Sequence, residues 1–147
     1  MSNLKLTIEL VPQQLWYNNV RGLVSKDVWK EIKQRCYRLA GYKCEICGEK
    51  GRRWPVECHE IWYYDDHKHI QTLKGFIALC PACHLCKHPG FASTQDKFWI
   101  VVKQMIRVNG ISKEEFYVHY NEESTRWIRR NKYKWTNNID YVQEYLK

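Results

Sequence analysis

Two short cysteine pairs, Cys44-x-x-Cys47 and Cys80-x-x-Cys83, dominate the chemistry that this sequence can offer. Each loop turns its thiolates toward one point about 2.3 Å from the sulfurs, so the two pairs predict a tetrahedral four-thiolate zinc site. The stretch between the pairs is too long for a plain zinc ribbon loop, and it carries Cys58 and His59 flanked by Glu57 and Glu60. The second pair runs on into His84 and His88. Pro81 suits the first turn of a helix, on which His84 and His88, four apart, share a face. One helix start therefore serves two sites: its thiols hold the zinc, and His84 is presented to whatever precedes it. His88 is expected as a second ligand or as a group that orients one, and Lys87 as a phosphate contact.

A C-x-x-C, a strand with His59 after a ligand-type position, and Cys80-x-x-Cys83-His84-x-x-x-His88 opening a helix resemble the HNH nucleases and their ββα-metal fold. From an N-terminal strand and Trp16-Tyr17 to a basic helical tail, the whole layout is similar to a group of small single-domain bacterial and phage HNH proteins. The resemblance implies His59 as general base on a water and His84 as ligand of a divalent cation such as Mg²⁺ or Mn²⁺ that holds a DNA phosphate. Cys58 stands at the ligand position before the base, where the family has Asp or His, and Gly75 where its central Asn is expected. The alternative reading of those two positions is a non-catalytic zinc-stabilised module that binds nucleic acid or a protein partner.

The strand itself bears on the ligand set. Side chains alternate, so Glu57, His59 and Ile61 face one way, and Cys58, Glu60 and Trp62 the other. Cys58 and His59 serve one metal only if the strand bends; otherwise Glu57 or a residue of the next strand completes the site around His59.

The elements that must position these groups read as an α+β domain spanning 1–147, with a zinc-clasped core over about 42–90 and a C-terminal helical part over about 93–147. Residues 56–64 and 69–79 form a hairpin, and Asp65, Asp66, His67 and Lys68 make its turn rather than a metal cluster. Ser25 caps a preceding helix whose apolar positions Val28, Trp29, Ile32, Cys36 and Leu39 recur with helical spacing until Gly41, which leaves Cys36 a buried free thiol. After Pro89-Gly90, Ser93 or Thr94 caps a helix running to Asn109-Gly110, and Ser112 with Glu115 forms a capping box that opens the next. Residues 4–10 alternate like a half-buried strand, and the best partner is the extended segment 133–141. Trp16 is expected to pack.

Twenty-four Lys and Arg against sixteen Asp and Glu leave a formal charge of +8, which fits a polyanionic partner. Arg52 and Arg53 precede the His59 strand and can fork onto phosphate oxygens. Arg126, Arg129 and Arg130, interleaved with aromatic residues up to Trp135, form either a DNA-facing ridge or a solvated helix end. Seven cysteines with knuckle spacing and no apolar leader at 1–10 point to reduced thiols and the cytoplasm. No apolar run approaches the length of a membrane span.

Overall fold

The computed structural model describes residues 3–50 and 55–147 and has an α+β architecture. In chain order it contains α1 (Val20–Leu23), α2 (Lys26–Leu39), β1 (Glu57–Asp65), β2 (Ile70–Leu79), α3 (Pro81–Cys86), α4 (Pro89–Thr94), α5 (Phe98–Asn109), α6 (Lys113–Arg130), β3 (Thr136–Asn138) and α7 (Tyr141–Tyr145). Local chemistry sets most of these boundaries. The Ser25 hydroxyl accepts from the Val28 N–H to start α2. Ser112 and Glu115 form the reciprocal capping box of α6, and α5 ends where Gly110 turns left-handed at φ 62°. At the hairpin tip, the Asp65 carboxylate accepts from the His67 and Lys68 N–H groups, both at 2.9 Å, so the acid is a turn-former as expected.

β1 and β2 pair antiparallel from Glu57↔Leu79 to Asp65↔Ile70, with one irregularity between Ile61 and Trp62, where Lys74 of β2 is left without a partner. The pleat puts Cys58 and Phe76 on the face covered by α2 and α7, where Phe76 meets Trp29 and Tyr145. His59 and Ile77 point to the other face, which receives α3 and the N-terminal segment. A continuous core runs through both layers, from Leu6, Ile8 and Ile32 to Leu73, Leu79, Met105, Phe116 and Val142. Each such side chain, fully buried, contributes about 1.5–3 kcal/mol.

Three expectations fail here. Residues 4–10 do not join the sheet, although Leu6 and Ile8 are fully buried. Side chains take over their backbone pairing: Asn109 accepts from the Leu6 N–H and donates to the Leu6 carbonyl, at 2.9 and 2.8 Å, while His119 Nε2 accepts from the Ile8 N–H at 2.9 Å. The segment 133–141 does contain a strand, β3, but it pairs in parallel with β2, Ile70 opposite Thr136. Alternation reports a buried edge; it does not report which donors satisfy the backbone. Between α3 and α5 lies α4, begun by Pro89, so Ser93 and Thr94 sit in α4 and α5 starts at Phe98 without a side-chain cap.

The far end of the hairpin is tied to α6. Arg130 donates to both Asp66 oxygens at 2.9 and 3.0 Å and lies 4.4 Å from the Tyr64 ring centre. Trp16 stacks on Trp127, and both indoles donate to the Val11 carbonyl. Trp16 therefore packs, as expected.

Asn109→Ala strands two polar groups of Leu6, its N–H and its carbonyl. The expected loss is about 2–6 kcal/mol, at about 1–3 kcal/mol per unsatisfied buried group, read as a lower denaturant midpoint with unchanged slope.

Candidate metal centres

The first knuckle is anchored before any metal is considered. Glu45 is bound to Ala78 at both its ends: its N–H donates to the Ala78 carbonyl at 2.9 Å, and its carboxylate accepts from the Ala78 N–H at 2.7 Å. Gly48, at φ 80°, provides the left-handed turn out of the knuckle. The end of β2 thus brings Cys80 to Cys47, their sulfurs 3.6 Å apart. The Sγ atoms of Cys44, Cys47, Cys80 and Cys83 all lie within 4.8 Å of one another. A tetrahedron with bonds of about 2.3 Å has edges of about 3.8 Å, so the four residues fit a zinc ion. Backbone N–H groups of Cys47 and Cys83 donate to Cys44 and Cys80, and Gln104 Nε2 donates to Cys83 at 3.2 Å. Hydrogen bonds from the Cys80 and Cys83 thiols hold Cys44 far below its ordinary value, while contact with Cys44 pushes Cys83 up and Cys80 to about 12. Sulfurs that share protons so closely are the ones whose charge a dication would take over.

Gln104 has no counterpart in the sequence reading. It is buried in the apolar face of α5, and its own carbonyl accepts from Arg107, which reaches Glu49 beside the first knuckle. An uncharged polar residue between Val101 and Met105 was the available signal.

The second group is His59, His84 and His88, each with a ring nitrogen within 4.8 Å of the others. His84 Nδ1 lies 3.0 Å from Glu57 Oε1. An ionised carboxylate only accepts, so Nδ1 carries the proton and the Nε2 lone pair is free. That Nε2 faces His88 Nε2 at 3.2 Å, close to the roughly 3.3 Å edge of a tetrahedral ion with bonds of about 2.0–2.1 Å. Desolvation holds His84 below the ordinary imidazole value, with the neighbouring His59 adding to it and Glu57 opposing it. Crowding likewise holds His88 down to about 3, through desolvation first and the charges of His84 and His59 next, although part of its ring is exposed. Both are therefore neutral imidazoles at pH 7, the form in which histidine can bind a metal.

His59 is buried, and its Nδ1 has no hydrogen-bond partner. Its Nε2 lies 3.9 Å from Glu9 Oε2, which also takes Lys87 Nζ at 3.0 Å. Burial would raise the Glu9 carboxyl, but His59 and the Lys87 ammonium outweigh it and hold it at about 2. Glu9 belongs to the N-terminal segment, and nothing in its local sequence marks it as part of a site.

Several expected site residues are elsewhere. Cys58 is on the opposite face of β1 from His59 and is absent from the imidazole group, because the strand keeps its alternation through this point. Its thiol is pushed far up by hydrogen bonding to Cys36, which is correspondingly drawn down. Glu57, the alternative, is the residue that reaches His84. Lys87 does not face solvent: buried, it donates to the Thr7 carbonyl and hydroxyl at 2.8 and 2.9 Å as well as to Glu9. Arg130 is held by Asp66 and Arg126 by Glu123, while Arg129 is exposed. Arg52 and Arg53 lie outside the described residues. Among the described residues no helix is long and apolar enough to cross a membrane.

No family model, curated protein or solved structure matches this chain.

Metal analysis is expected to find tightly held zinc on the four thiols, and Cys80→Ser is expected to lose it along with much of a binding energy of about 10 kcal/mol that is also folding energy. A metal-free wild type with an unchanged melting point would exclude this. Acid should also destabilise the fold through His88. Between its ordinary value of 6.5 and its folded value of about 3, the unfolded chain binds more protons, so stability falls as pH falls through that window. Thiolates holding a zinc ion would take up protons as well, so the imidazole share is the difference between wild type and His88→Asn, whose melting point should fall less from pH 6.5 to 4.

Proposed function

We propose that this chain is a metal-dependent endonuclease of the HNH type that hydrolyses phosphodiester bonds in DNA. One observation carries the reading: a strand histidine with a bare, buried Nδ1 stands beside two helix histidines whose Nε2 atoms face each other at 3.2 Å. His84 and His88 would hold the divalent cation, with Glu57 fixing the tautomer of His84. When bound, that cation supplies positive charge to polarise the phosphate and to stabilise the leaving oxygen. His59 takes the proton from the attacking water at Nδ1, the nitrogen left free. With no oxygen ligand from position 58, the donors are imidazoles, which suit Zn²⁺, Ni²⁺ or Co²⁺ better than the Mg²⁺ that the resemblance implies. The net charge of +8 and the exposed Arg129 favour a polyanionic substrate.

A second reading has an observation of its own. Lys87 and Arg130, two cations that would dock a strand, are engaged inside the molecule, which suits a zinc-stabilised module that binds without cutting.

A plasmid-nicking assay across Zn²⁺, Ni²⁺, Co²⁺, Mn²⁺ and Mg²⁺ separates the two. Nicking by the wild type, with His59→Ala folded and DNA-bound but slower by about 10² to 10⁴, is the expected result. Absence of nicking with every ion would leave the binding module, and cleavage undiminished in His59→Ala would remove the mechanism. Arg129→Ala should lower the slope of log K against log salt by about one unit. Arg130→Ala should instead lower the melting point, since it frees Asp66 and uncovers Tyr64.

A further inference from the structure

The N-terminal segment is gripped more firmly than an extended stretch outside any sheet requires. Asn109 of α5 holds Leu6, His119 of α6 holds Ile8, and Lys87, at the end of α3, holds Thr7 and the Glu9 carboxylate. Three helices thus fix the residues around Glu9, and the carboxylate so fixed stands 3.9 Å from His59 Nε2. His59 has only one other nitrogen, Nδ1, which is buried and has no partner. Lys87 is buried too, so the ammonium has been taken out of water for an internal purpose.

We infer that Glu9 is a positioning residue for His59, with Lys87 as the clamp that aims it. The carboxylate accepts the Nε2–H of His59 and so keeps the proton off Nδ1, the buried nitrogen that the proposed mechanism uses as base. The distance is longer than a formed hydrogen bond, and catalytic hydrogen bonds are often this loose before substrate binds. In the reaction, a water proton passes to Nδ1 as the water oxygen bonds to phosphorus and the bond from phosphorus to the leaving oxygen breaks. His59 then carries both N–H groups as a cation facing the Glu9 carboxylate. Its extra proton returns to solvent, and the leaving oxygen takes one from solvent, so one water is consumed per bond cut. Part of this rests on the nuclease reading; the tautomer of His59 does not.

The experiment uses the full-length zinc-loaded protein and reads the His59 ring nitrogens by ¹⁵N NMR, alongside cleavage kinetics and thermal melts. The wild type should show His59 protonated on Nε2 and bare on Nδ1. Glu9→Ala, which removes the acceptor at a partly exposed position, should remain folded, mix the two tautomers, and lower kcat about 10–100-fold with little change in KM. Glu9→Asp keeps a carboxylate and should restore most of the Nε2–H form. A wild-type His59 protonated on Nδ1, or a Glu9→Ala protein with the wild-type tautomer, would overturn the inference. Should the wild type cut no DNA, the nuclease reading fails by itself, and the tautomer still decides what Glu9 does.

Discussion

The start of α3 belongs to a group of four sulfurs, and the placement of the histidines that α3 carries depends on that start. Cys80 is at once a member of the thiolate group and the N-cap of α3, accepting from the Cys83 N–H. The same turn that closes the sulfur cluster therefore fixes the direction in which His84 and His88 leave the helix. Since α3 has only six residues, its own hydrogen bonds could not hold that direction in water. The cluster, the Glu45 bridge to Ala78 and the packing of α5 supply the rigidity that so short a helix lacks.

Around this anchor, polar side chains do work that a sheet or a helix ladder usually does. Gln104 and Arg107 link the sulfurs to Glu49 in a chain of contacts across α5. Asn109, His119 and Lys87 take the place of a neighbouring strand for residues 4–10. Such contacts are directional and leave few alternatives, since an unpaired buried polar group costs about 1–3 kcal/mol. The consequence for the second group is a fixed frame around His59, with the two helix histidines and Glu9 all packed close to its ring.

The same economy governs the charges. A balance of +8 suggests a broad basic surface, yet Lys87 and Arg130 are committed to Glu9 and Asp66, and Arg126 to Glu123. Arg130 stitches the hairpin tip to the end of α6 by a bidentate pair and by its approach to Tyr64, a structural role for a residue whose sequence setting is a basic, aromatic run. Of the three arginines expected on that ridge, Arg129 remains exposed without such an engagement among the described residues.

What the sequence by itself determined is everything whose partners lie within a few residues: the caps of α2 and α6, the Asp65 turn, the left-handed end of α5, and the paired knuckles. Strand alternation also reached correctly as far as placing Glu57 with His59 and leaving Cys58 on the other face. Only the tertiary structure decided the rest. Glu9 and His59 are fifty positions apart, Thr7 and Lys87 eighty, and Leu6 and Asn109 one hundred and three. A polar residue on an alternating segment looks the same from the sequence whether it meets water or a buried ammonium. Its role is set by which elements the core brings against it, and periodicity carries no record of that choice.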